Sequence, residues 1–262
     1  MKAGYRTIAL FAVAAFAASA FGARAQEPPL IAAASDLQFA LPEVAAAFER
    51  ETGLAVRLTF GSSGNFARQI RQGAPFQMFL SADEGYARDL AGDGLTRDDG
   101  VLYALGRIVI VAPHGSGVEP DDVLEGLKTA LIKGRIKKFA IANPEHAPYG
   151  KRAEEALRHA GLWRDLKDKL VLGENVSQAA QFALSGSTDG GIIAYSLALS
   201  PKIAGKARFA LIPEDWHAPL RQRMVLLNGA GATAQRFYAY LQGSAARSIL
   251  RRFGFLLPGG NG

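Results

Sequence analysis

Residues 31–49, IAAASDLQFALPEVAAAFE, constrain the fold more than any other stretch. An apolar run from Leu30 to Ala34 reads as a buried strand, stops at Ser35 and Asp36, and gives way to Leu37, Leu41, Val44 and Phe48 at helical spacing. A chain that passes from strand to helix this abruptly leaves the first helical N–H groups unpaired, with a hydroxyl beside them and the positive end of the helix dipole behind. That suits an anion and makes Ser35 a candidate ligand. The plain alternative is that Ser35 or Asp36 caps the helix. Recurrence of the same turn elsewhere is what favours the ligand.

The turn does recur. Residues 55–60 alternate as a strand and run into Gly61-Ser62-Ser63-Gly64-Asn65 before a short helical segment. Two serines between two glycines can cap, and they also let the backbone approach a small ligand closely, which makes Ser63 a second candidate. Residues 76–81 form a third strand; the acidic residues that follow would repel an anion, so Ser81 and Asp83 read as caps. Further β runs fall at 107–113, 139–142, 170–172, 190–194, 209–212 and 224–227, with helices at 121–131, 151–160, 234–242 and 245–252. Tyr149 stands at a helix N-terminus after the proline-punctuated turn NPEHAPYG. Val176 follows Asn175, whose partner Gln178 three residues on makes a capping-box-like start. Tyr195 ends the apolar strand GGIIA. The alternation argues for an α/β fold with mostly parallel sheets, in which ligands sit beyond the carboxyl ends of the strands. Ser35, Ser63, Tyr149, Val176 and Tyr195 all lie at or just past such ends.

Composition narrows the setting. Residues 1–25 combine a basic start (Lys2, Arg6), an apolar run from Ile8 to Phe21 and a small-x-small site at Ala23-Arg24-Ala25, which together read as a secretory signal peptide cleaved after Ala25. No later stretch is long and apolar enough to span a membrane. Loss of Lys2, Arg6 and Arg24 lowers the formal charge of +6 to +3, and no basic block interleaved with aromatics suggests nucleic acid. Cysteine is absent, which excludes disulfides, thiolate metal sites and thiol nucleophiles. There is no HExxH, GxSxG, GxxxxGK[ST] or GxGxxG pattern, and His114, His146, His159 and His217 are scattered. Nothing here demands an enzyme or a cofactor.

With these turns in view, the chain resembles the periplasmic molybdate-binding proteins of ABC transporters. The matching stretches are AAASDL, FGSSGNFARQI, GAPFQMFLSAD, NPEHAPYG, ENVSQA, GIIAYSLA, PEDWHAPLR and FYAYLQG followed by ILRRFGF, in the family's order. The resemblance implies a two-lobed type II periplasmic binding fold, each lobe a mostly parallel sheet flanked by helices, with the ligand in the interlobe cleft. Residues 26–108 and 222–257 form one lobe, 109–221 the other, with crossings near Ile108 and Arg223 and a disordered tail over 258–262. It places the oxyanion contacts on Ser35 and Ser63 through hydroxyl and N–H, on Tyr149 and Val176 through N–H, and on Tyr195 through its phenol. The expected function is a monomeric, periplasmic capture protein for molybdate or tungstate that delivers to a permease and its ATPase. The alternatives are another tetrahedral oxyanion (phosphate, vanadate or sulfate), or a periplasmic enzyme or sensor on the same fold.

A donor-only site matches an unprotonated dianion, so Asp36 is expected to cap its helix and face away. Ser63→Ala is expected to weaken binding with folding unchanged. Pro42 would forfeit a backbone bond inside the first helix unless that helix begins later or bends. Gln77, where the family suggests an acidic residue, is expected to be a scaffold change.

Overall fold

The computed structural model describes residues 27–259; the expected signal peptide and the last residues of the expected tail lie outside them. In chain order the elements are β1 (Leu30–Ala34), α1 (Ala40–Thr52), β2 (Arg57–Gly61), α2 (Ser63–Arg71), β3 (Met78–Ser81), α3 (Glu84–Gly92), β4 (Val101–Gly106) and β5 (Ile108–Pro113). Then come α4 (Glu125–Ile132), β6 (Phe139–Ala142), α5 (Pro148–His159), α6 (Trp163–Leu166), β7 (Leu170–Gly173), α7 (Val176–Leu184), β8 (Gly191–Ala194) and α8 (Tyr195–Ala198). The last four are β9 (Ala207–Leu211), β10 (Leu220–Leu226), α9 (Ala232–Leu241) and α10 (Ser244–Arg252).

Two five-stranded sheets result, ordered β2-β1-β3-β10-β4 and β7-β6-β8-β5-β9. In the first, β1 is parallel to β2 and β3, and β10 is antiparallel to β3 and β4. In the second, β6 is parallel to β7 and β8, and β5 is antiparallel to β8 and β9. Each sheet is therefore mixed: four strands share a direction and one, β10 or β5, is inserted against them. The inserted strand is the one that arrives from the other sheet. It enters at the end where its neighbours finish, so it must run backwards. Arg107 alone separates β4 from β5, while the return from β9 to β10 spans residues 212–219. Residues 220 and 221, expected in the second lobe, already belong to β10 of the first sheet.

The central strands β1 and β3 of the first sheet are buried on both faces and read as continuous apolar runs, with successive residues pointing to opposite sides. Ile31, Ala33, Met78, Leu80 and Met224 face α1, α9 and α10, while Ala32, Phe79 and Val225 face α2 and α3. Phe48 meets Phe237 and Tyr240 edge-on at 5.2 and 5.4 Å, tying α1 to α9. Burying an aromatic of this size contributes about 1.5–3 kcal/mol. Phe48 and Phe237 are core, with Tyr240 packed partly buried against them. Pro42 is the third residue of α1, which begins at Ala40 after a 3-10 turn over Ser35–Leu37. First-turn N–H groups have no helical partner, so the proline forfeits nothing there. Gln77 accepts the Gly231 N–H at 2.8 Å and ties β3 to the start of α9, a scaffold role.

Candidate functional site

The ends of β1 and β2 face the N-termini of α5 and α7 across a small hollow of about 10 Å³, room for about one water molecule. Ala34, Ser35 and Asp36 line it from the end of β1, Gly61, Ser62 and Ser63 from the end of β2, and Ala82 from the turn after β3. Ala147, Pro148, Tyr149 and Val176 close it from the other sheet's helices. Among the described residues, no lysine or arginine lines it. Three helix N-termini, those of α2, α5 and α7, converge here, and their dipoles favour an anion.

Each expected donor has a local reason for its position. Ser63 is the first residue of α2 and fully buried, and its Oγ accepts the Ala82 N–H at 2.9 Å. Ser35 Oγ accepts the Ser177 N–H at 3.3 Å, and the Ser177 hydroxyl donates to the Ser35 carbonyl at 2.7 Å. Each hydroxyl oxygen thus already accepts, and its proton remains to be donated. Tyr149 is the second residue of α5, behind Pro148, so the helix offers its N–H no partner. Asn175 caps α7 through the N–H groups of Ser177 and Gln178, at 3.0 and 3.1 Å. The Val176 N–H is left outside that cap. Gln178 Oε1 reaches back to the Glu174 N–H at 2.7 Å, one residue before the cap, rather than to the Asn175 N–H of a capping box.

Tyr195 is not part of this hollow. Its N–H donates to the Arg107 carbonyl at 2.9 Å, its ring lies 6.0 Å from that of Phe209, and a Cβ on Gly254 would come within 2.6 Å of it. Ser196, about 100° further round the start of α8, turns the other way and donates to the Asp36 carbonyl at 2.8 Å. The strand end was right, but side-chain direction at the junction belongs to the next residue.

Asp36 also departs from expectation. It is 1% exposed, makes no cap bond and lines the hollow. Its Oδ2 accepts from the Tyr149 phenol at 3.0 Å and from Gln222 Nε2 at 2.6 Å, while Oδ1 is buried without a hydrogen-bond partner. Gln222 Nε2 also donates to the Tyr149 oxygen at 3.0 Å, and its Oε1 accepts the Tyr103 O–H at 2.7 Å. Burial pushes the Asp36 carboxyl up from 3.8 to about 6, against the lowering influence of Gln222, Tyr149 and the nearby N–H groups of Asp36 and Leu37. The Tyr103 and Tyr149 phenols are pushed well above their ordinary range by burial and then by the Asp36 charge. A carboxylate here finds three buried polar side chains, but none of them is cationic.

The two lobes touch around the rim. His146 Nδ1 lies 3.0 Å from Ser62 Oγ, the Gly64 N–H donates to the His146 carbonyl at 3.0 Å, and Asn65 bonds Glu174. Arg152 of α5 pairs with Asp83 at 2.9 Å, and Asp83 caps α3 as expected. Gly64 is where glycine matters, because a Cβ would come within 2.7 Å of the His146 carbonyl. The space expected for ligand approach admits the other lobe instead. Ser62, Ser177 and Gln222 were not among the expected site residues. Ser62 and Ser177 were in view as turn and cap residues, and Gln222 fell outside the expected 224–227 run.

Residues 29–256 match the family described as bacterial extracellular solute-binding protein. The molybdate-binding protein ModA of Rhodobacter capsulatus is 35% identical over 217 residues, 82% of this chain and 82% of that protein. ModA of Escherichia coli (strain K12) is 35% identical over 255 residues, covering 95% of this chain and 97% of its own length. The solved periplasmic molybdate-binding protein of Azotobacter vinelandii superposes with a TM-score of 0.78 at 28% identity, covering 88% of this chain and 99% of that one.

Proposed function

This chain belongs to the bacterial extracellular solute-binding proteins and stands with their molybdate-binding members, and from that premise we propose that it captures molybdate between its two lobes for delivery to an ABC importer. The observation that carries the reading is the buried hollow where three helix N-termini meet two serine hydroxyls whose oxygens already accept. Ser35 and Ser63 serve one side of the anion, and the N–H groups of Tyr149 and Val176 the other. Hydrogen bonds to a charged group contribute about 1.5–3 kcal/mol each. Several of them offset the several kcal/mol per ion that burial of the charge costs. Tungstate, with the same charge and shape, falls within the same proposal, as do export to the periplasm after cleavage at Ala25 and a monomeric state.

A thermal-shift panel tests it, because a ligand that binds only the folded form raises the midpoint. Molybdate and tungstate are expected to raise it strongly and sulfate far less. A response to sulfate with none to molybdate would overturn the proposal. One observation favours a second reading: Asp36 lines the hollow and offers an acceptor, which suits an oxyanion that carries a proton, such as phosphate or vanadate. A larger shift with phosphate than with molybdate would select it.

A further inference from the structure

The hydrogen-bond network around Asp36 determines which of its oxygens is available for a proton. The Tyr103 O–H donates to Gln222 Oε1, which turns Gln222 Nε2 toward both the Tyr149 oxygen and Asp36 Oδ2. Tyr149 Oη, accepting from Gln222, directs its own hydrogen to Oδ2. Both side-chain donors to the carboxyl, Tyr149 and Gln222, end on Oδ2, so Oδ2 is the acceptor of the side-chain network. Oδ1, buried and unpartnered, is left as the oxygen that can carry a hydrogen.

We infer that Asp36 takes up one proton on Oδ1 when the hollow takes its dianion, so that the carboxyl enters the complex as an acid and capture is coupled to pH. The inference rests on the dianion reading above. As a carboxylate, Asp36 would set a like charge beside the anion; as an acid it removes that charge. The step is MoO₄²⁻ plus ionised protein plus one proton from solvent, giving a complex with the charge of the dianion alone.

The groups facing Asp36 leave it to titrate by itself. The phenols of Tyr149 on α5 and Tyr103 on β4 stay protonated, β10 offers the neutral Gln222, and α8 and α7 offer the hydroxyls of Ser196 and Ser177. At the rim two ionisable pairs remain, His146 with Glu174, 3.5 Å apart, and Arg152 with Asp83 at 2.9 Å. Burial has already brought the Asp36 carboxyl to about 6, close to the range where a neighbouring dianion holds the proton at neutral pH.

Calorimetric titration of the full chain with sodium molybdate near pH 8, in two buffers of different ionisation enthalpy, counts the protons. About one proton is expected per anion, with affinity falling about tenfold between about pH 7 and pH 8. Asp36→Asn, which presents a neutral side chain of the same shape, is expected to bind with no proton uptake, no pH slope and at least wild-type affinity near pH 8. His146→Gln is expected to keep the uptake, which secures the assignment should the Asn variant fold poorly. Molybdate binding with no proton uptake overturns the inference alone. Uptake that survives in Asp36→Asn or vanishes in His146→Gln also overturns it. No molybdate binding at all overturns the reading of the site, and this inference with it.

Discussion

Ser63 is fully buried, and its oxygen accepts the Ala82 N–H while its proton remains for an anion. Ser63→Ala is therefore expected to weaken molybdate binding by about 10- to 150-fold, the loss of one charge-assisted bond. It should also cost about 1–3 kcal/mol of stability, because the Ala82 N–H is left buried and unpaired. The expectation of unchanged folding missed that second bond, which links residues 19 apart in the chain. Ser35 separates the two effects, since the Ser177 N–H that its oxygen accepts also bonds Asn175 Oδ1 and would not be left unpaired. Ser35→Ala should lose affinity with little change in the denaturation midpoint of the ligand-free protein. Asp36 gives the residue-scale pH dependence. Its carboxyl is raised in the fold from 3.8 to about 6, so the folded state holds more protons than the unfolded one between those values. The contribution is fully present below the unfolded value and is lost as pH rises through about 6, which makes the ionised group cost about 3 kcal/mol near neutrality. Asp36→Asn should thus be more stable than the parent in urea at about pH 7, with the advantage shrinking toward about pH 4.

At the scale of elements, the site is a set of helix starts, and each cap positions a donor. Asn175→Ala is expected to cost about 0.5–2 kcal/mol of stability, as loss of a cap does, and to lower molybdate affinity because the Val176 N–H loses its fixed direction. Asp121 caps α4 through Val123, Glu125 and Gly126, on a helix that does not line the hollow. Asp121→Ala should cost similar stability and leave affinity unchanged, so the pair distinguishes a cap that serves binding from one that serves the fold. Elements were the most legible level of the sequence. The strand–turn–helix units at Ser35, Ser63 and Val176, the aromatic face of α9 and the cap at Asp83 all follow from local spacing and backbone hydrogen-bond demand. The first half of β10 escaped, because Leu220 is followed by three charged or polar residues, Arg221, Gln222 and Arg223. Burial of Gln222 depends on partners in β4 and α5, which no local pattern records.

For the whole molecule, the two lobes meet through contacts that need both sheets in place. Gly64 lies in α2, where alanine suits the backbone, yet a Cβ there would collide with the His146 carbonyl across the interface. Gly64→Ala is expected to weaken molybdate binding at least tenfold, because the two backbones meet here in the arrangement that forms the hollow. Equal affinity in parent and variant would place the lobe contact outside the binding step. The sequence by itself determined the α/β class, the candidate helix starts and four of the residues that line the hollow, Ser35, Ser63, Tyr149 and Val176. These depend on residues close together in the chain. Only the tertiary structure decided that Tyr195 packs on Phe209 and Gly254, and that Asp36 turns toward Tyr149 and Gln222. At a strand end several side-chain directions are open to the backbone, and the one adopted is the one for which distant residues supply packing or a hydrogen bond.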